Sequence, residues 1–511
     1  MIAIRVLELS GPIEVPPGTE DKNATRFYCT LHGQFIGYVT IWNKGRPIGR
    51  NLLLQEIGFQ MGQTISKHLF SKRFGGESEP WSNVERLVRT QLGLESPQFE
   101  ITEPVEEKIA QLPPDFSVSI TIPSRDRPED IVRCLQSLTT HKSRYPFEII
   151  VADNNPASGL TEPVVRQFPG VTYLAEPRPG VTFARNAAAL HAKGDVIVCT
   201  DDDVTYMDGW LDNLIAPYAD PEVMAVTGLV LPFELEHEAQ YWFEVYGSLT
   251  RNYERTRYDR SFYEPAPGVP MVPTWNIGVT ANASFRAEIF ADPAIGPFDD
   301  ELRIAEDPYM LYRLVKADRV VIYEPKAVVQ HRHRTTLAGL ARQLHNYGRS
   351  STGMQLRTYF VDKDKRGLDC MWDIMNYDRA RLIQALQARK SLRAKLIAKL
   401  LGGKRKAFFT GPLAGRTDYP FELLIAETKG HLVGPYSLLK SMIQVRTKLG
   451  RYSWQQFAYA QAARNQEKLA QAERLKQIAE IKQLAEPAPE RQLGSVEIET
   501  ETEAENSRPI E

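Results

Sequence analysis

The chain has 511 residues, with 62 Lys and Arg against 64 Asp and Glu, a formal net charge of −2, and 42% hydrophobic residues. This is ordinary globular composition, long enough for about three domains. Its charge balance gives no general argument for nucleic acid or an anionic surface as partner. Four cysteines lie far apart without a CxxC pair, so buried free thiols are expected rather than disulfides or a zinc site. Met1-Ile2-Ala3-Ile4-Arg5 lacks the apolar core of a leader peptide, and no apolar run approaches a membrane span, so a cytoplasmic location is expected.

Residues 1–112 read as a small β-rich accessory domain. Alternation gives strands over 26–31 and 35–42, joined at His32-Gly33-Gln34, and helical spacing runs from Leu52 to Leu69. Pro113-Pro114 marks a boundary. From there to residue 350, strands (118–123, 147–152, 171–174 and the run into Asp201) alternate with helical patterns (128–138, 160–168, 180–192). Such alternation predicts an α/β domain with a mainly parallel sheet flanked by helices, whose ligands gather at the carboxyl ends of the strands. Three of these strands end in polar clusters: Ser124-Arg125-Asp126-Arg127, Asp153-Asn154-Asn155 and Asp201-Asp202-Asp203. Three adjacent carboxylates repel one another, and Mn²⁺ or Mg²⁺ would relieve that repulsion. An acidic turn capping the next helix is the plainer alternative. Arginines and carboxylates on one rim suit a metal-bound phosphorylated ligand.

Further on, Met224–Leu231 reads as a strand. The aromatics from Tyr241 to Tyr263, interleaved with Arg251, Arg255, Arg257 and Arg260, form either a stacking surface for sugar or nucleic acid or, more commonly, a packed subdomain. Glu306-Asp307 opens a helix over 308–315, where an acidic residue also has a purely structural use. Apolar runs at 320–323 and 327–329 lead to His331 and His333 on one strand face; imidazole there can ligate Mn²⁺ or bond phosphate, or be a pair of exposed strand-end histidines. Residues 351–454 read as a helical region. Within it, 379–406 is basic, lacks Asp and Glu, and has leucines at helical spacing, as a membrane-surface helix or a solvated helix would. Residues 455–511 read as a helix followed by an acidic disordered tail.

Taken in order, these motifs resemble glycosyltransferase family 2, of GT-A fold. The resemblance is carried by Val118–Arg127, Cys134–Leu138, Ile149–Asn154, Pro179-Gly180, Ala184-Arg185-Asn186, and Gly194-Asp195 running into Asp201-Asp202-Asp203. It continues through Phe298–Leu302, Glu306-Asp307, His331 and Tyr347-Gly348-Arg349. It implies an inverting transfer of sugar from a nucleotide-diphosphate sugar, UDP-linked, to a hydroxyl of a glycan or lipid-linked acceptor. Asp307 would be the catalytic base. Asp203 and Asp201 (the DxD pair) and His331 would be the metal group, for Mn²⁺ or Mg²⁺. Pro123, Arg125, Arg127, Asp153, Arg185, Asp201 and Asp202 would form the nucleotide set, with Asp153 on the uracil. Trp275, Asn276, Asn282 and Glu306 would meet the acceptor or donor sugar. Lipid-linked acceptors would suit a peripheral membrane contact through 379–406; no nucleic-acid partner is expected. Two rivals remain: a non-catalytic binder of nucleotide-sugar or glycan on the same fold, and a sugar-phosphate nucleotidyltransferase. The latter would want a glycine-rich loop after the first strand, and Ser124-Arg125-Asp126-Arg127-Pro128 contains no glycine.

Overall fold

The computed structural model describes residues 1–69, 105–264, 274–302, 304–389, 391–401 and 416–485, with residues 272 and 413. The expected acidic tail and the end of the basic stretch, 402–406, lie outside the described residues. The chain divides into two compact units, 1–461 and 462–511. The described part of the second is helical up to Ala485.

The first unit holds two sheets. Strands β1 (Ile2–Glu8), β2 (Ala24–Leu31) and β3 (Gln34–Ile41) form a three-stranded sheet on which helix Arg50–Leu69 packs, with a core including Phe27, Leu31, Val39, Leu53 and Ile57. Strand β1 pairs parallel to β2, so no hairpin signal announces it.

Among the described residues the second sheet has nine strands: β4 (Val118–Ser124), β5 (Phe147–Asp153), β6 (Val171–Ala175), β7 (Val196–Thr200), β8 (Val204–Tyr206), β9 (Val223–Pro232), β10 (Thr256–Tyr258), β11 (Asn282–Arg286) and β12 (Val320–His331). Their order is β10-β12-β9-β11-β7-β4-β5-β6, with β8 paired to β12. The α/β sheet flanked by helices, expected for a GT-A fold, is therefore present. Strands β4, β5, β6 and β7 are fully parallel. Strand β11 is wedged antiparallel between β7 and β9. From β4 the chain builds outward to β6, then returns to the other side of β4 as β7. The reversal leaves a crevice at the carboxyl ends of β4 and β7, where open α/β sheets bind ligands.

Two sequence expectations change. The runs at 320–323 and 327–329 are one strand, interrupted where Glu324-Pro325-Lys326 forms an irregularity against β9, because Pro325 has no N–H for the ladder. The helix expected over 160–168 is only Glu162–Val165.

Helix Leu337–Asp362 lines the cleft with its first half. Helix Leu337–Asp362 lies along helix Phe421–Gln444, and their backbones approach closely because glycines face the contact. A methyl group at Gly430 would run into the carbonyl oxygen of His345, and one at Gly434 into the Thr352 hydroxyl. Gly430→Ala is therefore expected to lower the unfolding free energy by about 1–3 kcal/mol, measured by urea titration. An unchanged midpoint would mean that the two helices are free to move apart.

Candidate active site in the cleft between β4 and β7

The cleft encloses about 830 Å³. Its walls come from the ends of β4 (Pro123, Ser124, Arg125, Arg127), β5 (Asn154) and β7 (Asp201, Asp202, Asp203), together with Gly180, Arg185, Thr280, Glu306, Asp307 and His331. Arg342, Gln343, Asn346, Tyr347 and Arg349 of helix Leu337–Asp362 complete it.

Each acidic group at the end of β7 is paired with a cation, Arg127 serving two of them. Arg127 bonds Asp202 at 2.5 Å and Asp203 at 2.8 Å, and the Ser124 hydroxyl donates to Asp202 at 2.9 Å. Burial, then the Asp203 charge, pushes the Asp202 carboxyl up to about 7. Burial also opposes ionisation of Asp203, but His331 at 3.2 Å, then Arg127 and Arg334, outweigh it and hold that carboxyl well below the usual range. Backbone pairing fixes this contact: His331 sits opposite Val204 in the β12–β8 ladder, and Arg332 N–H donates to the Asp203 carbonyl at 2.9 Å.

Arg185 joins the two acidic clusters. Its guanidinium bonds Asp201 at 2.6 Å and Glu306 at 3.1 Å, and its side chain is 3% exposed. Glu306 and Asp307 begin helix Glu306–Lys316, entered through Ala305 in the left-handed region (φ 69°), a sparsely populated conformation for a residue with a Cβ. The Thr280 N–H donates to Asp307 at 3.3 Å. Burial, then neighbouring Asp307, pushes Glu306 up to about 7; burial also raises Asp307, against the lowering effect of Arg185. The preceding Asp299-Asp300-Glu301 run is structural. Asp299 and Glu301 bind Arg357 at 2.6 and 2.5 Å, and Asp300 accepts from Asn186 and from the Tyr452 N–H.

One oxygen each of Asp201 and Asp203 and one nitrogen of His331 lie within 4.8 Å of one another. Two carboxylates and an imidazole are a donor set suited to Mn²⁺ or Mg²⁺, so these residues fit a divalent cation.

The structure brings together Pro123, Arg125, Arg127, Arg185, Asp201, Asp202, Asp203, Glu306, Asp307 and His331 as the sequence suggested. Four expected residues are placed elsewhere. Asp153 is buried outside the cleft wall, its oxygens accepting from the Asn155 N–H and the Tyr173 hydroxyl. Asn282 is a core residue: its amide donates to the Leu229 and Ala327 carbonyls and accepts from Trp210. Trp275 and Asn276 belong to the short helical turn Thr274–Asn276, and Val279, Thr280 and Ala281 reach the cleft instead. Residues missed by sequence reasoning include Arg334 and Arg342. Arg334 follows His331 by three residues, and Arg342 shares a helix with the cleft-lining Gln343, Asn346 and Tyr347; these spacings are the signal that could have found them.

The family model described as Glycosyl transferase family 2 matches residues 119–271. The chain contains a family 2 glycosyltransferase domain. A curated relative, the pre-mycofactocin glycosyltransferase of Mycobacterium tuberculosis, is 25% identical over 248 residues, which is 48% of this chain and 49% of the relative. The chain thus spans about half the length of that relative. A mannosyltransferase of Pyrobaculum calidifontis, solved with GDP-Man and Mn²⁺, is 16% identical over 72% of this chain and 85% of its own, with a TM-score of 0.35. Glucosyl-3-phosphoglycerate synthase of Mycobacterium tuberculosis, solved with Mn²⁺ and UDP-Glc, is 14% identical over 50% of this chain and 84% of its own, with a TM-score of 0.34. Asp307 and His331 lie beyond the matched segment.

Arg185→Met leaves the buried Glu306 and the partly exposed Asp201 without their shared cation. It is expected to cost about 3 kcal/mol or more in chemical unfolding. A loss below about 1 kcal/mol would show that this pair behaves like an exposed one.

Proposed function

We propose that the protein is an inverting glycosyltransferase that moves a sugar from a nucleoside diphosphate, with UDP the first to test, to a hydroxyl of a glycan or lipid-linked acceptor. The observation that supports this most is the presence in one cleft of the Asp201–Asp203–His331 cluster and, across Arg185, the Glu306–Asp307 pair.

Asp201, Asp203 and His331 would hold Mn²⁺ or Mg²⁺, which as a Lewis acid neutralises charge on a departing diphosphate. Arg125, Arg127, Arg334, Arg342 and Arg349 line the same cleft, and guanidinium groups suit phosphate oxygens. Asp307 accepts the proton of the acceptor hydroxyl as that oxygen bonds the anomeric carbon. The bond from that carbon to the diphosphate oxygen breaks, and its electron pair leaves with the nucleoside diphosphate. A single displacement inverts the anomeric centre and needs one base, unlike the paired carboxylates of retaining hydrolases. Glu306, tied to Arg185, positions the helix start that presents Asp307.

The basic stretch 379–406 would bring a lipid-linked acceptor within reach by lying on an anionic membrane surface. In its described part Leu396, Ile397 and Leu400 are exposed, while Leu386 and Ala398 are buried. No described helix is long and apolar enough to cross a membrane.

Asp307→Asn is expected to lower transfer by about 10²–10⁴-fold while Mn²⁺-dependent nucleotide binding persists. Equal turnover by the variant would remove Asp307 as base. Asp203→Ala should abolish the Mn²⁺ dependence of nucleotide binding; unchanged affinity would exclude Asp203 as a ligand. The base must be ionised to accept a proton. Its raised pKa therefore predicts that kcat falls as pH is lowered, with an acid limb above the ordinary Asp value of 3.8. A limb below that value would contradict the assignment.

A further inference from the structure

Behind the cleft lies a second layer of buried polar groups. His331 Nδ1 is 3.0 Å from His333 Nδ1, His333 Nε2 is 3.1 Å from Glu244 Oε1, and Arg26 Nη1 is 2.8 Å from Glu244 Oε2. The His333, Glu244 and Arg26 side chains are 1%, 6% and 6% exposed. The chain of contacts runs from the edge of the cleft, through helix Glu238–Tyr246, to strand β2 of the N-terminal sheet. The sheet is held against this region by Tyr28 and Phe35, which pack on Leu229, Leu231 and Val328. Arg26 is further fixed by Thr40 at 3.2 Å and by the Tyr38 ring, 4.3 Å away. The Phe243 ring lies edge-on to His333.

The direction of each hydrogen bond follows from the groups involved. Glu244 receives bonds from Arg26, from the Ser248 hydroxyl and from His333. Burial opposes its ionisation, but His333 and then Arg26 outweigh burial and hold the carboxyl below its ordinary range. An ionised carboxylate only accepts. His333 must therefore carry a proton on Nε2, and its Nδ1, as a neutral ring, accepts. His331 in turn donates from Nδ1. Its Nε2 faces the ionised Asp203 at 3.2 Å and by the same rule donates to it in the metal-free chain; with Nδ1 committed to His333, Nε2 is the nitrogen that a cation would use by displacing that proton.

We propose that Arg26, Glu244 and His333 are positioning residues that fix the tautomer and ring orientation of His331, and that the N-terminal sheet is thereby part of the metal site. This rests on the metal reading above. Outer partners of this kind fix the tautomer of ligating histidines, and their loss costs metal affinity.

Glu244→Gln keeps size but exchanges one acceptor oxygen for an NH₂ donor. Arg26 keeps the amide oxygen towards itself, so the NH₂ turns to His333 Nε2 and reverses the proton positions along both imidazoles. The full chain titrated with Mn²⁺ alone, followed by electron paramagnetic resonance of the free ion, is expected to bind about 10–100-fold more weakly in this variant. In the double variant Arg26→Met, Glu244→Gln the cation is gone, the amide turns its oxygen to His333, and most of the affinity returns. A merely space-filling role makes the double variant the weaker binder, which would overturn the proposal, as would wild-type affinity in Glu244→Gln.

Nitrogen-15 spectra of the histidine-labelled wild-type chain, with His331 assigned through His331→Asn, read the tautomer directly and do not depend on a variant folding. A proton on His331 Nδ1 supports the relay; a proton on Nε2 with none on Nδ1 overturns it. If the folded wild-type chain binds no Mn²⁺, the metal reading fails, and this spectrum still decides for or against the relay.

Discussion

Mutual repulsion among the carboxylates at the end of β7 is the constraint on which the rest of the cleft depends. Asp201, Asp202 and Asp203 follow directly from a buried strand; Asp202 and Asp203 are buried and Asp201 is partly exposed, and no fold keeps such adjacent charges without compensation. Arg127 reaches over from the end of β4, Arg185 from the helix before β7, and His331 from the end of β12. Each cation comes from a different element, so the sheet order, the crossover at β4 and β7, and the length of β12 all serve one electrostatic end. A divalent cation bound there would share that role: Arg127 and His331 occupy the Asp203 oxygens with bonds that an added positive charge would reorganise.

The second acidic group, Glu306-Asp307, is held by the same logic at one remove. Arg185 belongs to both clusters, so the separation between the candidate metal ligands and the candidate base is set by one rigid guanidinium rather than by a loop. The Asp299–Glu301 segment, anchored by Arg357 and by Arg446 at 2.6 Å, fixes the approach to the helix that carries Asp307. Residues of the C-terminal region thus support the site from outside the cleft. The left-handed Ala305 is the local cost of turning Glu306 and Asp307 inward.

Much of the parallel half of the sheet was legible because its strands are short apolar runs that stop at polar clusters: Val118–Ser124, Phe147–Asp153 and Val196–Thr200. Strands β1 and β11 were not. Ile2–Glu8 pairs in parallel across a long connection, and Asn282–Arg286 is half polar, its Asn and Ser bonded inside the core rather than exposed. Asn282 shows the hazard of carrying a role over by resemblance: the family resemblance implied acceptor or sugar contact there, whereas this amide makes three core hydrogen bonds. Asp307 and His331 were found through motif order. Residues 244 and 26, which close on His333, share no pattern with it, since only the tertiary fold brings β2 beside helix Glu238–Tyr246. Short-range patterning records strands and their ends; it does not record which distant ion pair supports them.

The most direct test of the proposed activity is calorimetric titration of the intact chain with UDP, GDP and dTDP, each in Mn²⁺ and in EDTA. A nucleotide-sugar site built on Asp201, Asp203 and His331 predicts preferential binding of one diphosphate in Mn²⁺ and its loss in EDTA. Equal binding in EDTA, or no binding of any diphosphate by the folded protein, would contradict it.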